Sequence, residues 1–121
     1  MDHPEQIAQT LDLVREAARN IRELEAQALA ALHERGDKET HRLKMAEKCE
    51  QLIDLAEEAD PLLEGGGETA ARLRQGLQDF ARRGSMALDL ESIFFMAALL
   101  YPEDYQDGEP NDLERFILRF E

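Results

Sequence analysis

Residues 4–63 read PEQIAQTLDLVREAARNIRELEAQALAALHERGDKETHRLKMAEKCEQLIDLAEEADPLL, and the spacing of their apolar positions decides the fold. Ile7, Leu11, Val14, Ala18 and Ile21 recur at spacings of 4, 3, 4 and 3, and the stripe continues through Leu24, Ala28 and Leu32. A 3–4 repeat held for about four heptads predicts one long helix that buries a narrow seam. Asp2 or His3 stands at the cap position, Pro4 suits the first turn, and Glu5 complements the helix dipole. Gly36, just past the last periodic residue, predicts the end at Arg35. Asp37 then caps a second helix at once, and so short a connection makes the pair antiparallel. Met45, Cys49, Leu52, Ala56, Ala59 and Leu63 repeat the spacing, with Leu43, Ala46 and Ile53 widening the stripe. Asp60-Pro61 predicts the end of this helix or a kink, because the residue before proline avoids the helical region.

Beyond the hairpin, Gly65-Gly66-Gly67 is a joint. A third helix is predicted from Glu68 to Arg83, with Ala70, Leu73, Leu77, Phe80 and Ala81 on one face and Gly84 as its stop. Ser85 would cap a fourth, from Met86 to Tyr101, which is apolar on nearly every side and so belongs in the middle of the core. Glu103 to Pro110 is an acidic loop. Asn111 with Glu114 reads as a capping box for a last helix carrying Leu113, Phe116, Ile117 and Phe120. Alternation of Phe116, Leu118 and Phe120 leaves a strand open there. The expected fold is all-α: a long antiparallel helical hairpin with two shorter helices packed on it, four-helix-bundle-like, and a short C-terminal helix. The expected organisation is a single helical domain over 1–121, with a hairpin at 1–60, a Pro/Gly joint at 61–67, and the shorter helices and acidic loop at 68–121.

Composition agrees. One Val, five Ile and three Thr stand against sixteen Ala, a balance that favours helix over sheet. The formal charge is −13, from 27 acidic and 14 basic side chains, which disfavours nucleic acid as a partner. The longest apolar run, Ile93 to Leu100, is far below the roughly 20 residues that span a bilayer. The opening Met1-Asp2-His3-Pro4-Glu5 has the wrong chemistry for a signal peptide. The single cysteine, Cys49, excludes an internal disulfide and suits a reducing, cytoplasmic setting. All seven aromatics lie from Phe80 onward, and Gly84 to Glu114 holds eight acidic residues with no Lys or Arg.

Candidate sites are few. His33, His41 and Cys49 fall at intervals of eight, which puts His41 and Cys49 on different helix faces, so no transition-metal set is expected. Aligning Gly108 with the glycine of a calcium loop places Asp107, Asn111 and Glu114 on ligand positions. The run His41-Arg42-Leu43-Lys44 resembles the His-x-Leu-Lys stretch of histidine phosphotransfer domains, with Met45 standing where that family has glycine. The resemblance implies His41 as phospho-acceptor and Lys44 as its balancing cation. Other catalytic signatures are missing, and no cofactor is expected.

The expected function is therefore non-catalytic: a helical module that binds another protein. Helices three and four, at about 16 residues each, reach only about 24 Å along a hairpin of about 45 Å. They should leave its tip bare, with Leu24, Leu29, Leu32, Leu43 and Met45 forming the contact surface. A second copy of the chain, in a homodimer, is the expected occupant.

Overall fold

The computed structural model describes residues 3–121 and is all-α, with five helices and no strand among the described residues. Helix α1 spans Pro4–Arg35 and α2 spans Lys38–Leu63. The turn between them is two residues long. Gly36 takes a φ of 62°, and its N–H reaches the Leu32 carbonyl at 3.0 Å while that of Asp37 reaches Ala31 at 3.0 Å. A side chain at that φ would meet its own carbonyl, which is why glycine stands there. Asp37 restarts the helix: its Oδ1 accepts from the Thr40 N–H at 3.0 Å, and this bond holds the Asp37 carboxyl below the usual range.

Two boundaries differ from the sequence reading. Helix α2 runs through Pro61 to Leu63 instead of breaking at Asp60. Proline removes one hydrogen bond there, but only in the last turn, and the Leu63 side chain is fully buried beyond it. Helix α3 spans Glu68–Asp89, passing through Gly84 without a stop. Gly84 is a contact glycine, because a Cβ there would fall 2.9 Å from the backbone oxygen of Cys49. The predicted long fourth helix accordingly shrinks to α4, Ile93–Ala98, capped by Ser92. It is not central, since Phe94 and Phe95 face outward. Residues 112–118 form a helix, α5 (Asp112–Leu118), opened by the expected Asn111–Glu114 capping box.

Helix α2 packs along α1 on one side and along α3 on the other, and α1 and α3 make no extensive contact with each other. Helix α5 lies against α1, and its Phe116 ring meets Phe80 of α3 edge-on at 5.4 Å between centroids. Helix α4 packs on α2 and α3. One continuous apolar core, including Val14, Ile21, Leu52, Leu73, Leu77 and Leu113, joins these elements.

At 22 residues, α3 is about 33 Å long and, with Gly84 against Cys49, runs on toward the turn of the α1–α2 hairpin. The antiparallel register that sets Gly84 against Cys49 brings Glu91 near enough to Arg42 to raise the arginine's pKa, although its bond to Glu39 does so more strongly. The expected contact surface is corrected in part. Leu24 and Met45 are buried, Leu32 is half-buried, and only Leu29 and Leu43 remain exposed.

Candidate interaction surface

Sequence reading passed over the most unusual interior feature, a cluster of charges under α4. Lys48 is fully buried, with its Nζ 2.9 Å from Oε2 of Glu25, 3.3 Å from the Ala97 carbonyl and 5.1 Å from the centre of the Tyr101 ring. Burial pushes the Lys48 amine down from its ordinary pKa, and Glu25 opposes that shift. The Tyr101 hydroxyl donates to the other Glu25 oxygen at 2.5 Å, and burial with this bond drives its pKa upward. Arg22, beside them on α1, donates to both oxygens of Glu114 (2.7 and 3.2 Å), to the Glu109 carbonyl (3.1 Å) and to the hydroxyls of Tyr101 and Tyr105 (3.2 and 3.4 Å). Burial alone would raise the Glu114 pKa, but Arg22 and the Asn111 N–H together hold it below the usual value.

The cluster ties the segment from Ala97 to Glu114 onto α1 and α2. Its backbone is shaped to suit: Leu100, fully buried, sits at a φ of 80°, and its carbonyl accepts from the Asp112 N–H at 2.9 Å. Such a conformation is uncommon for a leucine and persists where surrounding contacts enforce it. With its amine sealed from solvent, Lys48 has no access to a substrate.

The sequence-predicted sites fall as follows. His41 is 9% exposed and lines a cleft of about 590 Å³ with Glu25, Met45, Tyr101, Tyr105 and Asp107, while Lys44 is half-buried. A phospho-acceptor needs an accessible imidazole, and this one is largely covered. The calcium alignment fares similarly. Asn111 Oδ1 is taken by the Glu114 N–H at 2.9 Å, and the Glu114 carboxylate by the Asn111 N–H and Arg22. No group of three His, Cys, Asp or Glu side chains among the described residues is placed to hold a metal ion. Millimolar calcium is therefore expected to leave the melting temperature where magnesium leaves it. A calcium-specific rise in a thermal scan would restore the loop as a binding site.

The outer surface carries the second unusual feature. Met86 (55% exposed), Leu90 (62%), Phe94 (73%) and Phe95 (53%) crowd the corner where α3 gives way to α4. Phe94 and Phe95 stack edge to face at 5.5 Å, and an open groove of about 340 Å³ runs between Met86, Leu90, Phe95 and Leu99. The chain matches no family model, no curated protein and no solved structure. The corner must therefore be read from its own chemistry. Its residues were visible in sequence as the apolar run after Gly84, but an apolar run does not say which side faces water.

Proposed function

We propose that the protein is a non-catalytic interaction module that docks another protein on the α3–α4 corner. The observation that carries this reading is the exposure of four large apolar side chains within ten residues. Scattered apolar residues are normal on a surface, but a contiguous patch of this size marks a contact site. The buried cluster of Glu25, Lys48 and Tyr101 supports it from beneath, since it fixes the segment after α4 to the hairpin and keeps the corner in one shape.

A photo-crosslinking amino acid at position 94 tests the reading in extracts of the native host. A discrete adduct is expected from position 94 and none from position 57, on the exposed side of α2. The adduct should disappear in a Leu90→Ser/Phe95→Ser background whose melting temperature matches the parent. Equal labelling from both positions would remove the case for the corner.

A further inference from the structure

We infer that the occupant of the α3–α4 corner is a cationic amphipathic helix of a partner protein; this rests on reading the corner as a docking face. Three observations select that chemistry. The first is shape: the groove is an open trough lined by apolar side chains, Met86 of α3 and Leu90 just beyond it together with Phe95 and Leu99. An amphipathic helix lays its i, i+3, i+4 apolar face into such a trough.

The second is the sign of the rim. Asp89 and Glu91, both exposed, bracket Leu90, and Arg42 on α2 is near enough to Glu91 to interact with it. Asp89 takes part in no ion pair among the described residues. The only cation lining the groove, Arg83, is held between Asp79 and Asp112 at 3.8 and 3.4 Å.

The third is what the charge excludes. A second copy would bring its own −13, and a two-fold axis through the corner would set Asp89 and Glu91 against their counterparts. An anionic bilayer is repelled by the same charges. A helix with apolar residues on one face and Lys or Arg on its flanks satisfies both the trough and its rim.

The test uses the full chain and three 18-residue peptides in calorimetric titrations: a Leu/Lys amphipathic helix, the same design in Leu/Glu, and a scrambled Leu/Lys sequence without a helical apolar face. The Leu/Lys helix is expected to bind with a Kd on the order of 10 μM and at least about ten-fold tighter than the other two. Its affinity should fall as sodium chloride is raised from 50 to 150 mM. Leu90→Ser/Phe95→Ser should weaken it about ten-fold or more, and Asp89→Asn/Glu91→Gln should weaken it and flatten the salt dependence. All four substitutions alter exposed side chains, so circular dichroism and melting temperature should match the parent.

Equal binding of the scrambled peptide would reduce the effect to bulk charge and overturn the inference. Equal or tighter binding of the Leu/Glu helix would overturn the cationic partner and leave the docking face standing. Light scattering that shows a dimer dissolved by Leu90→Ser/Phe95→Ser would make a second copy the occupant. Phe95-dependent binding to phosphatidylcholine vesicles in place of the peptides would assign the corner to a lipid surface. Absence of peptide binding together with absence of a position-94 adduct would remove the docking face itself.

Discussion

Replacing Glu25 by alanine is expected to destabilise the protein by about 3–5 kcal/mol, measured by urea denaturation at pH 7, because it leaves a buried ammonium without its counter-charge. Lys48 would keep only the Ala97 carbonyl and the face of Tyr101. The pH dependence identifies the cause. Burial already depresses the Lys48 pKa in the fold, so between the folded value and about 10.4 the unfolded chain binds more protons and stability rises with pH. Loss of Glu25 lowers the folded value further and widens that window. The stability lost at pH 7 should therefore return in part by pH 9. Tyr101, whose pKa burial raises, ionises in the unfolded chain first, so the gain reverses above about pH 10. Glu25→Leu combined with Lys48→Met removes both charges and should lie within about 1 kcal/mol of the parent or above it. A single variant as stable as the parent would show that water reaches Lys48.

The second large effect is expected at Gly84. Alanine is the better helix former by about 1 kcal/mol, and on an open helix face Gly84→Ala would stabilise. Here the added Cβ meets the backbone oxygen of Cys49 at 2.9 Å, and a backbone atom of a packed helix cannot swing aside as a side chain does. Helices α2 and α3 must separate. Net destabilisation of about 1–3 kcal/mol is expected for alanine, and more for Gly84→Leu, read as a drop in urea midpoint. A stabilised alanine variant would return Gly84 to the role of a helix breaker.

Gly84 also shows what the sequence could and could not disclose. Gly36 and Gly84 look alike in the chain, each following a periodic helical stretch. Gly36 ends its helix in a left-handed turn closed by its own N–H and that of Asp37, and that chemistry is local, although Ser85 offers the same kind of cap after Gly84 as Asp37 does after Gly36. Gly84 is set by the helix facing it, which lies 35 positions earlier, and no local pattern carries that information. The same divide separates the capping box at Asn111 and Glu114, legible from two residues, from the outward turn of Phe94 and Phe95, which depends on where α3 stops.

The buried pair left a faint mark. Glu25 lies four residues after Ile21 and Lys48 three after Met45, so each occupies a position that continues its helix's apolar stripe. Opposite charges at seam positions of two facing helices were the available signal. Tyr101, which completes the group, comes from a distant loop and had none. Of the residues first marked for contact, Leu29 and Leu43 are exposed, whereas Leu24 and Met45 are buried.

The order of packing has a consequence in time. Helix α2 sits between its two neighbours in the chain, so the α1–α2–α3 layer is assembled from successive hairpins, each closing over a short connection. Such local pairing makes for rapid folding. The segment after α4 is what reaches far back, Tyr101 meeting Glu25 across 76 positions and Glu114 meeting Arg22 across 92. Much of the cost of long-range closure is thus concentrated in the seating of this C-terminal segment, with α5 in it, on the three-helix layer. The molecule is a quickly zipped layer with a single late latch.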